Sequence, residues 1–306
     1  MKITYDLTRK FPAEPHFANQ AFLGSLCSLI DQQSVLFDAD SLMYLCGSLN
    51  FLTSKDANEI IHGHLVELGY IRSCERCLNI IAYQISIDRE DAKYIEALMY
   101  LLSSITNLLR QNLALDQRES LLPHLILELG DQFRSNSQMI FQIFRLLSEF
   151  SICDDSSVSI IDHETQEKMI GFCINSLENQ SENVTLPSSR SAKGLDIASN
   201  LVRVIANLSV DPLVGSALCT VENLLEFQIC ILERFPQNSN DFACIELTTN
   251  VLISLHNLTF HSDNYAVLEI LAIRLAIAYM IEMSIGMIVC HKVDCSKVTK
   301  YRSSIC

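Results

Sequence analysis

Tryptophan is absent from this 306-residue sequence, glycine occurs only 9 times and proline 6. Average usage is about 7% glycine and 5% proline, so both are scarce. That scarcity excludes folds that place glycine and proline in many tight turns, such as β-sandwiches, and folds built on glycine-rich phosphate loops. Neither G-x-x-x-x-G-K-[ST] nor G-x-S-x-G occurs, so the phosphate loop and the nucleophile elbow are missing as motifs. Positive charge is short too. Lys and Arg number 22 against 36 Asp and Glu, a net charge of −14. Nucleic-acid binding needs a basic footprint, so the expected partners are proteins, with no small-molecule substrate. What the chain has is apolar: 49% hydrophobic against 19% charged residues. That balance excludes wholesale disorder and favours an all-α chain. The length suits about two domains or one repeat array.

The N-terminal segment Met1–Phe17 has no apolar stretch of signal-peptide length. The 12 cysteines lie mostly in apolar runs such as Leu26-Cys27-Ser28-Leu29 and Phe172-Cys173-Ile174. There a free thiol acts as a small hydrophobe. A reducing, cytoplasmic setting is the expectation. The four N-x-S/T triplets at Asn179, Asn183, Asn207 and Asn257 are then chance matches. Cys74 and Cys77, with His62 and His64 upstream, form the strongest metal pattern. Zinc wants four such ligands, and C-x2-C supplies two. No second pair at matching spacing exists, and the two cysteines fall at i, i+3 of a helical stretch, where core thiols are the simpler reading. His163 is followed by Glu164 but not by the second His of H-E-x-x-H. No cofactor, metal or catalytic set is therefore expected, and the chain reads as a non-enzyme.

Five segments share one pattern: Leu45–Thr53, Leu101–Leu109, Ile143–Ser151, Leu201–Ser209 and Val251–Thr259. The first column is Leu45, Leu101, Ile143, Leu201 and Val251. The second is Leu49, Ile105, Leu147, Ile205 and Leu255. The third is Leu52, Leu108, Phe150, Leu208 and Leu258. Offsets of i, i+4 and i+7 put all three on one helical face. Ser or Thr closes four of the segments, at Thr53, Ser151, Ser209 and Thr259. The interval from Leu108 to Phe150 matches an armadillo or HEAT unit of about 40–47 residues, and the others require insertions. The clearest insertion is the polar segment Glu178–Lys193, read as a surface loop. The expected organisation is a cap or partly disordered segment over 1–40, repeats over 41–270 and a divergent tail over 271–306. Within that tail, Leu275–Cys290 is apolar but carries Glu282 and is short of the roughly 20 residues a membrane helix needs. A membrane span is not expected. The tail is read as an alternative or truncated end of a longer array.

The pattern apolar-x-x-x-apolar-x-Asn-Leu-Ser/Thr resembles the third helix of an armadillo repeat. Asn207-Leu208-Ser209 and Asn257-Leu258-Thr259 match it best and Asn107-Leu108 in part, while Phe51-Leu52-Thr53 and Glu149-Phe150-Ser151 lack the Asn. Gly69-Tyr70-Ile71 resembles the close of a repeat. The resemblance implies a right-handed superhelix of about five irregular repeats. It implies that Asn107, Asn207 and Asn257 line a groove and bond the backbone of an extended peptide. The alternative is that each amide bonds backbone within its own repeat. Where importin-like members carry a Trp one turn earlier, this chain has Ser103, Arg203 and Ile253, which argues against basic-signal binding. Arg145 and Arg203 share that column and, facing a groove, would meet carboxylate-bearing partners. Glu149, four residues after Arg145, offers an intrahelical pair instead. The stretches Asn200–Leu218 and Thr248–Asn264 are most similar to an axonemal member of the family. That resemblance implies an adaptor assembling the axoneme of motile cilia and sperm flagella, with a role in spermatogenesis. A cargo or signalling adaptor is the other expectation.

Overall fold

The computed structural model describes residues 1–54, 59–87, 92–110, 121–152, 163–184, 192–234 and 242–260. The chain is all-α, with no strand among the described residues. In order, the helices are α1 (Lys2–Lys10), α2 (Gln20–Ile30), α3 (Gln33–Leu36), α4 (Ala39–Leu52), α5 (Glu59–Glu67), α6 (Tyr70–Ile87) and α7 (Ala92–Leu109). They continue with α8 (Leu122–Gln132), α9 (Ser137–Phe150), α10 (His163–Val184), α11 (Ala192–Leu208), α12 (Pro212–Cys219), α13 (Glu222–Arg234) and α14 (Phe242–Phe260). A 3-10 turn at Pro15–Ala18 leads into α2.

Local chemistry sets several boundaries. The side chains of Asn19, Asn136 and Asp211 accept hydrogen bonds from the first free amides of α2, α9 and α12, satisfying donors that a helix N-terminus leaves open. Pro212, directly after Asp211, has no amide to orphan. Between α5 and α6, Gly69 adopts φ 69°, the left-handed region that costs glycine nothing. The closing hydroxyls act at the other end. Thr53, Ser151 and Ser209 are buried and donate to the carbonyls of Asn50, Ser148 and Ala206, taking up acceptors of the last turn.

The five pattern-bearing segments form one layer. In it α4 packs on α7, α7 on α9, α9 on α11 and α11 on α14. A second layer runs parallel in order: α2 on α6, α6 on α8, α8 on α10 and α10 on α13. The layers join pairwise as α2 with α4, α6 with α7, α8 with α9, α10 with α11 and α13 with α14. This packing is compatible with a helical solenoid. The three apolar columns lie between the layers. Every one of their residues, from Leu45 to Leu258, is at most 4% exposed. Burying each such side chain contributes about 1.5–3 kcal/mol.

Residues 1–40 carry α1, packed across α4, then the 3-10 turn, α2 as a member of the second layer, and α3. One segment differs from expectation. The region 178–193 is not a loop throughout, because α10 runs to Val184 and α11 begins at Ala192. A helix already nucleated needs only favourable propagation, and Glu178 and Gln180 supply good propensity without any apolar period. Residues 185–191, the tail 271–306 and its run Leu275–Cys290 lie outside the described residues. Among those described, no single helix is long and apolar enough to cross a membrane.

Candidate protein-binding face

On each first-layer helix the apolar columns point toward the second layer. The positions two and six residues after the first column share the opposite side. They are Gly47 and Phe51, Ser103 and Asn107, Arg145 and Glu149, Arg203 and Asn207, and Ile253 and Asn257. Because the five helices stack in order, these pairs form one continuous face.

Its centre is a charged network across three helices. The Arg145 guanidinium on α9 donates to Asn107 Oδ1 at 2.9 Å and to Ser103 Oγ at 3.4 Å, both on α7. The Glu149 side chain is only 4% exposed. It accepts from Arg110 Nε at 2.7 Å on one side and faces Arg203 Nη2 at 3.6 Å on the other. Burial and the nearby Arg110 push the Arg145 guanidinium below its usual pKa, while Glu149 acts in the opposite direction. The intrahelical Arg145–Glu149 contact that the spacing suggests is not made. Arg145 turns to α7, and Glu149 bridges the flanking helices instead. Desolvating a carboxylate requires compensation by charge-assisted interactions, and two arginines from the flanking helices of the same layer supply more than one flexible i, i+4 neighbour would.

The asparagines serve the ladder itself. Asn207 Nδ2 donates to the Ser148 carbonyl at 3.2 Å and to Ser151 Oγ at 3.0 Å, both at the end of α9. Asn257 Nδ2 donates to the Ala206 carbonyl of α11 at 2.9 Å. These amides bond the preceding helix of the layer rather than their own unit. Asn107 instead accepts from Arg145. Sequence reasoning missed a fourth tie: Asn250, just before the first apolar column, donates to the Ser199 carbonyl and hydroxyl. It also passed over Arg110, which follows the end of α7 and lies in none of the columns. Changing Asn207 to Ala is therefore expected to destabilise the fold by about 1–3 kcal/mol, because two hydrogen bonds across the α9–α11 step are lost at about 0.5–1.5 kcal/mol each. Urea unfolding checks this; a midpoint identical to wild type would show the tie to be idle.

The two ends of the face differ. At the first step, Tyr5 from α1 rests on Gly47 and meets Tyr44, Phe51 and Tyr100 edge-on. Its hydroxyl lies 3.0 Å from that of Tyr100, which donates to Glu96. At the last step Ile253 is 46% exposed.

Cys74 and Cys77 are fully buried beside Cys46 of α4. A hydrogen bond that the protonated Cys46 thiol makes to Cys77, together with burial, raises the Cys46 thiol, and burial raises Cys74. His64 pairs with the Ala18 carbonyl at 3.0 Å, and among the described residues no three His, Cys, Asp or Glu side chains are placed to hold an ion.

In comparisons with family models, curated proteins and solved structures, nothing matches this chain.

Proposed function

We propose that this chain is a non-catalytic protein-binding scaffold of the armadillo type. Its five first-layer helices would be the third helices of about five irregular repeats in a right-handed superhelix. One observation carries the reading. The face opposite the core is continuous over the layer and holds at its centre an ordered network of Ser103, Asn107, Arg145, Glu149 and Arg203. Preorganised donors of this kind recognise protein groups with little added entropy cost. The resemblance carried by Asn207-Leu208-Ser209 and Asn257-Leu258-Thr259 extends the proposal to a cytoplasmic or ciliary adaptor in axoneme assembly. An adaptor for cargo or signalling peptides is the second reading, and the half-buried Arg203 and exposed Ile253 suit it equally.

The test is affinity capture from ciliated or testis lysate with the wild type and with an Arg203→Gln, Ile253→Asp double variant. Both side chains are partly exposed, so the fold should survive. Asn207 and Asn257 are poor probes, since their amides tie the layer together. Capture of axonemal complexes by wild type alone supports the first reading, and capture of transport or junction proteins supports the second. Equal capture by both proteins removes the face from the mechanism.

A further inference from the structure

Helix α1 is held in one orientation and turns an apolar edge away from the array. Its inner side carries Tyr5 and Thr8, both buried where α1 packs on α4. The Tyr5 ring lies on Gly47, where any Cβ would collide with it. The Thr8 hydroxyl donates to the carbonyls of Thr4 and Tyr5, so its buried polar atom is satisfied within the helix. The outer side carries Ile3, Leu7 and Phe11, which are 77%, 45% and 57% exposed. Spaced at i, i+4 and i+8, they form one line. At about 100° per residue, Leu7 lies about 100° round the helix from Thr8 and about 160° from Tyr5. Lys2, Arg9 and Lys10 are exposed on the same helix, against one acid, Asp6. That is an excess of two positive charges on a chain whose net charge is −14. None of the three basic side chains forms an ion pair with a described residue.

The charge and the shape together select what covers this edge. A second copy is disfavoured, because two such edges meeting across a two-fold axis would bring their excess positive charges together. A protein partner would need a groove matched to a protruding ridge, since protein surfaces associate by close packing. The boundary between lipid headgroups and acyl chains is fluid and takes such a ridge, and anionic headgroups meet its cations. The acidity of the rest of the chain is screened beyond about 8 Å at physiological salt, so the charges on α1 dominate where it touches.

We propose that α1 is an interfacial anchor. It lies in the plane of an anionic lipid surface, with Ile3, Leu7 and Phe11 in the headgroup–acyl boundary and Lys2, Arg9 and Lys10 against the headgroups. Its 9 residues rest on the surface and are far too few to cross it. Three apolar anchors and a small excess of positive charge give reversible attachment. The proposal goes beyond the scaffold reading and does not rest on it.

Sedimentation of the full chain with vesicles tests this. The vesicles are phosphatidylcholine alone or with about a third phosphatidylserine. Wild type should bind the mixed vesicles about tenfold more tightly than the neutral ones, and should be released as salt rises. An Ile3→Gln, Leu7→Gln variant and a Lys2→Gln, Lys10→Gln variant should each lose about tenfold or more. Leu213→Gln, at another exposed leucine, on α12, should change nothing. All these side chains are exposed, so the urea midpoint should stay at the wild-type value. Because the chain has no tryptophan, Leu7→Trp supplies a single fluorescent reporter. Its emission should shift to the blue on the mixed vesicles and be quenched by lipids brominated near the headgroup end of the acyl chain. Absence of binding, equal binding to both vesicles, binding that survives the α1 variants, or unmoved emission from bound protein overturns the proposal. So does a dimer, or a captured protein, that the Ile3→Gln, Leu7→Gln variant abolishes, since a second copy or a protein partner would then be the cover.

Discussion

The variant Gly130→Leu is expected to split unfolding into two steps and lower the stability of the C-terminal part by several kcal/mol. Gly130 lies in the buried face of α8. A Cβ placed there would stand 2.5 Å from Cζ and 2.6 Å from Cε2 of Phe172 on α10. Phe172 cannot easily retreat, because its ring packs on Phe144 of α9 with centroids 5.2 Å apart. Overpacking of this kind costs about 1–3 kcal/mol per site, and more when the neighbour is pinned. In a stacked array stability is close to a sum of unit and nearest-neighbour terms. A wedge between α8 and α10 thus weakens one interface and leaves the units on each side intact. Segment-resolved hydrogen exchange in urea should show 163–260 opening before 1–152. Adding Phe172→Leu should restore much of the loss. A single transition at the wild-type midpoint would show that the ring has room to move.

Alkali should unfold this protein unusually early. Burial pushes Cys27 up to about 11, and it raises Cys46, Cys74, Cys173 and Tyr70 as well, with the Cys77 hydrogen bond the larger cause at Cys46. Each group is neutral when protonated and binds its proton more tightly in the folded chain. Below the ordinary thiol value both states are protonated, and the contribution is complete. Above it the unfolded chain loses its protons first, so stability falls as pH rises, for Cys27 over the window from its ordinary 9.0 to about 11. The slope is roughly 1 kcal/mol per pH unit for each thiol once the unfolded form is ionised. Urea unfolding at pH 8 and pH 10 should differ by several kcal/mol in total. Substituting Cys74 and Cys173 by Ala should flatten that dependence. A pH-independent midpoint across this range would mean the thiols reach water in the folded state.

Much of the fold was legible because helical periodicity records which side of a helix is buried. The columns from Leu45 to Leu258 are spaced at i, i+4 and i+7, and all are core residues. The closing hydroxyls could be read for the same reason, since the last-turn carbonyl they satisfy is only three residues back. The second layer was harder to read. Helices such as α10 carry long polar stretches, and Glu178–Val184 shows no apolar period although it is helical. At the site, the columns identified Arg145, Arg203 and the asparagines as sharing a face. They did not reveal partners, because hydrogen bonds between helices dozens of residues apart leave no local spacing. Glu149 reads as the i+4 neighbour of Arg145, yet its contacts are Arg110 and Arg203. Asn207 reads as a peptide ligand, yet both hydrogens of its amide are spent on α9.

The amide ties have a mechanical consequence. The step from α11 to α14 is fastened at two points, Asn250 and Asn257, which lie about 10 Å apart along the helix at 1.5 Å per residue. Two separated fasteners resist twisting as well as opening. The step from α9 to α11 has its fasteners, Asn207 and the Arg203–Glu149 pair, within about one helical turn of each other. That joint is the more compliant, like a hinge pinned near one edge. Tension across these two steps would flex it before the α11–α14 joint, and the gap that widens or narrows is the one between Glu149 and Arg203.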